Sequence, residues 1–225
     1  MMKIRKVKTP RIQAEAVVKA ALEILDAEGL EHVTFRRLAA KLGVQGPALY
    51  WYFKDKQDIM DDMAQAILTT DKLTNMTAPK DIGDWASWLT DLAHSLRDAL
   101  ISHREGGRVV AGASFFRAYA VARMALLTIK VLNDVGFDTI QATLASKTIS
   151  DYVWGFVIEE QAGPVPEQEP MRTDIKEAVI DRIGLENADF LYHIMEEESK
   201  LTNKEEFDWG LQVIINGLKL TLEGK

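Results

Sequence analysis

Val33-Thr34-Phe35-Arg36-Arg37-Leu38-Ala39-Ala40-Lys41-Leu42-Gly43-Val44, running on to Pro47-Ala48-Leu49-Tyr50-Trp51-Tyr52-Phe53-Lys54-Asp55-Lys56, is the stretch that decides the fold. Thr34 is a good helix N-cap, because its hydroxyl can accept from a free N–H of the first turn. Arg37 stands three residues later, so the cap is plain and lacks the glutamate of a capping box. A short helix over about Phe35 to Leu42 follows, with Leu38 and Ala39 facing inward, and Gly43-Val44 ends it and turns the chain. Gly46-Pro47 opens a second short helix through Tyr52, proline being tolerated in a first turn. Cap, short helix, glycine turn and short helix have the spacing of a helix-turn-helix, whose second helix enters the DNA major groove.

Tyr50, Trp51 and Tyr52 are consecutive, so helical geometry puts at least one of them on the outer surface. A phenol there can bond a phosphate, while the small Gly46, Pro47 and Ala48 let the helix approach base edges and thymine methyls. Arg36, beside Phe35 at the start of the preceding helix, suits a bidentate contact to guanine, and Lys56 suits a phosphate clamp. A second reading stays open, in which Tyr50 and Trp51 seal a small bundle against the next helix, as Leu49 and one aromatic must.

Working outward, Val17, Ala21, Ile24, Leu25 and Glu28 recur at helical spacing, with Gly29 as an αL stop. A fourth helix, about Gln57 to Thr70, carries Ile59, Met60, Met63 and Ile67 as its apolar stripe. Beyond it the pattern predicts helices over Lys80–Ser102, Phe115–Val135, Asp138–Gln161, Met171–Ile183, Ala188–Leu201 and Glu205–Leu222. A glycine turn is expected at Gly106-Gly107 and a loop over Ala162–Pro170, which holds three of the six prolines. The fold class is all-α: a helix-turn-helix domain with a basic arm over residues 1–56, and a larger helical domain over 57–225.

Composition sets the outer bounds. Of 225 residues, 47% are hydrophobic and 27% charged, near the globular average, and none is cysteine, which excludes disulfides and thiolate chemistry. No apolar run approaches the roughly 18 residues of a membrane-spanning helix, and the basic start has no signal-peptide core, so a cytoplasmic protein without membrane contact is expected. The net charge of −7 hides an asymmetry. Residues 1–56 carry eleven bases against six acids, leaving 16 and 28 of the chain's 27 and 34 for the remainder. A basic head on an acidic body draws phosphates to one end, though a solvated basic tail would give the same count.

The quoted stretch resembles the DNA-binding domain of the tetracycline repressor (TetR) family over more than twenty positions. Leu100–Gly106, Gly136-Phe137, Gly155–Gln161 and Gly210–Leu218 look like segments of that family's regulatory domain, so the resemblance covers most of the chain. It implies a homodimer built on helices resembling 139–161 and 205–222. The sequence adds apolar surface there, at Trp154, Phe156, Phe207, Trp209, Ile214 and Ile215, and small Gly155, Gly210 and Gly217 for close approach. Two recognition helices about one DNA turn apart would suit a palindromic operator. The arm Lys3 to Arg11 is expected to reach phosphates or the minor groove.

The resemblance further implies a repressor released by a small-molecule inducer, through a population shift in the larger domain. In the family's tetracycline-binding members that inducer is a drug–magnesium complex gripped by polar side chains, one histidine ligating the metal. Those positions fall here on Lys72, Leu92, Leu96, Val110, Ala113 and Thr128, with Glu159 keeping a carboxylate. Val110 stands where the metal-ligating histidine would be and can coordinate no ion. The expected ligand is therefore hydrophobic or amphipathic, cationic near Glu159 or anionic near Lys72; no cofactor is expected, and whether a metal accompanies the ligand stays open. That these aliphatic residues are ordinary core stays open.

An enzyme is disfavoured. His32, His94, His103 and His193 lie far apart, no phosphate loop or nucleophile motif is present, and Glu159-Glu160 and Glu196-Glu197-Glu198 read as solvated faces. His94 and Arg97 read as a surface pair. A helical binding module without DNA affinity is the other rival, and activation instead of repression a milder variant.

Overall fold

A computed structural model describes residues 13–162 and 173–224. The expected N-terminal arm and most of the Ala162–Pro170 loop lie outside them. The described residues hold helices and no strand: α1 Ala14–Glu28, α2 Phe35–Leu42, α3 Lys56–Leu68, α4 Asp71–Thr74, α5 Trp85–Ile101, α6 Gly106–Ala111, α7 Tyr119–Val135, α8 Thr139–Ala162, α9 Thr173–Ile183, α10 Leu185–Glu198 and α11 Asn203–Glu223. Short 3₁₀ helices occupy Leu30–His32, Gly46–Trp51 and Ile82–Asp84. The chain forms two compact units, one of Met1–Asn75 with Asp98–Met124, the other of Met76–Arg97 with Ala125–Lys225.

In the first unit α1 packs on α2 and α3, and α3 packs on α6. Val17, Ala21, Leu25, Val33, Leu38, Leu49, Phe53 and Met63 are shut off from solvent. Deleting one of the buried leucines would cost about 2–5 kcal/mol through lost burial and a cavity. The Thr34 hydroxyl accepts from Arg37 N at 3.3 Å, the plain cap expected, and Gly43 is αL at φ 65°, ψ 31°. Gly29 departs from expectation: φ 97° with ψ 168° is an extended left-side conformation and not αL. Leu30 can therefore turn its N–H to Glu105 Oε2 at 2.8 Å.

Two further expectations are corrected here. Gly106-Gly107 is no turn; both residues begin α6. A Cβ on Gly106 would run into the Leu100 carbonyl oxygen, so glycine is there for close approach, and the turn falls just before, with Glu105 at φ 54°. The helix expected from Phe115 begins only at Tyr119, because Ser114–Ala118 close local turns of their own.

In the second unit α8 packs on α11 and α9 on α10. Trp85 meets Phe137 edge-on at 6.2 Å. Leu89, Val131, Leu132, Ile149, Val153, Val157 and Phe207 form the core. Thr202 and Glu205 make a capping box that starts α11 two residues ahead of the expected Glu205.

Candidate functional site

The reading face is built by the capped α2 and the 3₁₀ helix after it. Of the three bases on α2, Arg37 is paired with Glu28 and Lys41 lies 2.9 Å from Glu23, both acids on α1. Arg36 is exposed and makes no ion pair among the described residues, so its charge is the one that α1 does not answer. Phe35 stacks flat on Tyr50, ring centroids 4.4 Å apart and planes at 5°. That stack holds the start of α2 against the recognition turn while leaving Tyr50 60% exposed.

Tyr50, Trp51 (87% exposed) and Tyr52 all face solvent, more than the single aromatic that helical geometry demanded. The bundle is sealed instead by Leu49 and Phe53, at 0% and 2% exposure. The sealing aromatic is thus Phe53 and not a member of the Tyr-Trp-Tyr triplet. The triplet straddles the end of the 3₁₀ helix Gly46–Trp51, with Tyr52 already its C-cap, so the three rings do not share one helical stripe. Pro47 is exposed, Ala48 half-buried, and a Cβ on Gly46 would meet nothing within 4 Å, so this edge can approach another surface closely. Lys56 is half-buried and donates to the Leu30 carbonyl at 2.9 Å, tying α3 to the 3₁₀ helix Leu30–His32.

Behind this face the first unit hides two carboxylates that the sequence reading passed over. Asp58 and Asp61 on α3 are 5% and 0% exposed. Asp58 accepts from Lys54 N at 2.8 Å and from Arg117; Asp61 accepts from Ser114 N at 2.8 Å and Gln57 at 2.9 Å. Their neighbour Asp62 has its carboxyl pushed above the usual range, first by burial and then by Asp61, Asp58 and Glu15, against the opposing pull of Arg117.

The expected ligand residues divide between the units. In the first, Lys72 is exposed on α4, Val110 is buried on α6, and Ala113 is half-buried just beyond it. In the second, Leu92 and Leu96 lie one turn apart on α5 and are buried, as is Thr128 on α7, while Glu159 is exposed. Among the described residues no group of three or more His, Asp or Glu is placed to hold a metal ion.

Glu160, read as solvated, turns inward: Arg97 Nε donates to it at 3.0 Å, a second guanidinium nitrogen also bonds it, and Asn203 donates at 3.0 Å. Arg97 is only 8% exposed and lies over the rings of Phe156 and Phe207, at 5.9 and 5.4 Å. The His94–Arg97 surface pair is thereby corrected, both residues being engaged inside the unit, with His94 Nε2 2.9 Å from Asp208.

The surface of α8 and α11 also differs from expectation. Phe207 is fully buried within its own unit, stacked on Tyr152 at 5.4 Å, and so offers nothing to a partner. Trp154, Phe156 and Ile214 are half-buried. The bare apolar residues are Ile140 and Leu144 on α8 and Trp209, Val213 and Leu220 on α11. A Cβ on Gly155 or Gly217 would meet nothing, whereas one on Gly210 would strike the Tyr152 hydroxyl.

Comparison with known proteins agrees along most of the chain. Residues 17–63 match the family described as bacterial regulatory proteins, tetR family, and residues 78–222 match the tetracyclin repressor-like C-terminal domain. The chain is 42% identical to the class C tetracycline repressor protein of Escherichia coli over 159 residues, 71% of each chain. It is 33% identical over 218 residues to the class A protein from transposon 1721, also in E. coli, covering 92% of this chain and 91% of that one. Among solved structures, a possible TetR family regulator from Streptomyces coelicolor A3(2) superposes with a TM-score of 0.78 at 29% identity, covering 93% of this chain and all of the other. A single-residue variant of TetR from Acinetobacter baumannii AYE, in complex with minocycline, gives 0.67 at 32% identity, over 92% and 94%.

Proposed function

The chain belongs to the TetR family of bacterial transcriptional regulators, and from that premise we propose that it is a cytoplasmic repressor that grips a palindromic operator as a homodimer and releases it on binding a small molecule. Residues 1–56 form the reading head in this proposal, and 57–225 the ligand-binding and dimerising part. One observation carries the reading of DNA: a capped α2 whose exposed Arg36 makes no ion pair among the described residues and follows Phe35, which stacks on the outward-facing Tyr50. A guanidinium so placed suits the O6/N7 edge of guanine, while the aromatic hydroxyls and Lys56 suit phosphates. The family is one of regulators and not of enzymes.

A dimer is supported by the apolar faces of α8 and α11. Ile140, Leu144, Trp209, Val213 and Leu220 would otherwise remain in water, and Gly155 and Gly217 leave room for a second backbone. The ligand is hydrophobic or amphipathic and needs no metal, on the strength of Val110, Leu92 and Leu96. The relatives' names point to tetracyclines and Val110 points away from their magnesium-bound form, so the deciding experiment is calorimetric titration with minocycline in magnesium and in EDTA. Binding that is weak or absent in both, or equal in both, agrees with the proposal. Tight binding only with magnesium would refute it. For the operator, selection from random DNA should enrich an inverted repeat.

A further inference from the structure

One face of α3 is given over to holding a single segment, residues 112–120. Gln57 donates to the Gly112 carbonyl at 2.9 Å, and Asp61 accepts from Ser114 N at 2.8 Å. Arg117 bonds Asp58 and reaches Asp61 with its Nε at 3.5 Å; Gln65 accepts from Ala120 N at 2.7 Å. A Cβ on Gly112 would meet the Met60 methyl at 3.1 Å, so the fit is close as well as polar. These contacts join residues about fifty-five positions apart in sequence.

Among the described residues the charges along this seam do not balance. Two carboxylates are buried, a third at Asp62 adjoins them, and one guanidinium, its side chain half-exposed, answers them. Asp61 Oδ2 is buried without a hydrogen bond of its own and depends on Arg117 for compensation. Buried charges left without a partner are disfavoured, so release of the segment from α3 is coupled to the loss of Arg117 from both carboxylates. Asp58 also accepts from Lys54 N, the backbone that leads from the recognition turn into α3. A single carboxylate thus touches the reading head on one side and Arg117 on the other.

We propose that Arg117 is the positioning residue of the regulatory switch: by neutralising Asp58 and Asp61 it docks residues 112–120 on α3 and so fixes the Lys54 end of the reading head. This rests on the function proposed above, in which Val110, two residues before the docked stretch, and Ala113, within it, meet the ligand. A ligand that favours the released segment lowers operator affinity through the same carboxylate.

The test uses full-length protein in four forms: wild type, Arg117→Met, Arg117→Lys, and the triple variant Asp58→Asn, Asp61→Asn, Arg117→Met. Two quantities are read, hydrogen exchange at the Lys54 and Ser114 amides, and affinity for DNA enriched by the wild type from a random pool. Arg117→Met should speed exchange at both amides and weaken operator binding by roughly tenfold, within the range that coupling residues show. Arg117→Lys should fall between it and wild type. The triple variant, which leaves no buried charge unpaired, should recover operator affinity to within about threefold. It also carries the test should Arg117→Met fail to fold.

Faster exchange at Ser114 with Lys54 and operator affinity unmoved would reduce Arg117 to local packing and overturn the proposal. A triple variant as weak as Arg117→Met would overturn the charge argument. Failure of the wild type to enrich any sequence would instead strike the proposed function, and the Lys54 exchange would still decide the coupling.

Discussion

Each unit of this protein sets an arginine against carboxylates, one buried and one half-exposed, and the two sites are built on opposite principles. Arg97 in the second unit is 8% exposed, faces one carboxylate, Glu160, in a two-pronged contact, and lies over two aromatic rings. Its charge is balanced and its apolar surface covered, the arrangement of a fixed rivet. Arg117 in the first unit is half-exposed and answers two buried carboxylates, Asp58 and Asp61. Its site is short of positive charge and open to water on one side, the arrangement of a catch that can let go. Burial alone does not mark a charged side chain as structural; the balance of charge and the access of water separate the two roles.

The largest expected effect comes from breaking the rivet. Arg97→Met leaves Glu160 with Asn203 as its remaining donor in a site where the two side chains are only 10% and 15% exposed. The cost should be about 3–5 kcal/mol in urea unfolding, and Arg97→Met with Glu160→Leu should recover most of it. Arg117→Met should cost less, about 1–3 kcal/mol, because Asp58 keeps Lys54 N and Asp61 keeps Ser114 N and Gln57. Equal losses at the two arginines would mean that charge balance and water access do not separate the two sites.

Glycines on α8 and α11 sharpen the contrast between a filled inside and an open outside. Gly210→Ala would drive a Cβ into the Tyr152 hydroxyl, which donates to the Phe207 carbonyl at 2.8 Å, and should cost about 1–3 kcal/mol. Gly155→Ala and Gly217→Ala meet open space within the chain and should favour their helices by up to ~1 kcal/mol, yet weaken self-association in sedimentation equilibrium.

Asp62 gives the smallest effect and probes the charge shortage near Arg117 directly. Its folded-state carboxyl lies above the usual range, so the unfolded chain gives up this proton more readily. The wild type is therefore penalised as pH rises above the ordinary carboxylate range toward the raised folded-state value. Asp62→Asn should raise the melting temperature at pH 7, with the gain vanishing in acid, where the wild-type carboxyl is itself protonated. Removing Arg117 should push the Asp62 titration, followed by carboxyl-carbon NMR, further upward.

The fold was legible wherever its causes are local. The Thr34 cap, the Gly43 stop and the inward Leu38 and Ala39 depend on neighbours within one or two turns, and the structure has all of them. So does the capping box of Thr202 and Glu205, which was legible in principle but was read only from Glu205 onward. Gly106 misled because a glycine needed for backbone contact with Leu100 looks, in sequence, like one needed for a turn. The pairings that organise the interior were not legible. Arg97 and Glu160 are 63 residues apart, Arg117 and Asp58 are 59, and nothing along one chain marks which acid an arginine will meet. Exposure was the other blind spot: Phe207 and Trp209 are two residues apart on α11, one fully buried and one 74% exposed, and helical spacing alone does not say which face looks inward.

Sequence-specific binding turns on Arg36, and fluorescence anisotropy on labelled DNA from the region flanking this protein's gene, with excess competitor DNA, tests it most directly. The wild type should bind and resist the competitor, and Arg36→Ala, with its melting temperature unchanged, should lose that resistance and about 1–3 kcal/mol of discrimination while keeping weak, salt-sensitive binding. Competitor-resistant binding that survives Arg36→Ala would contradict the reading of this face.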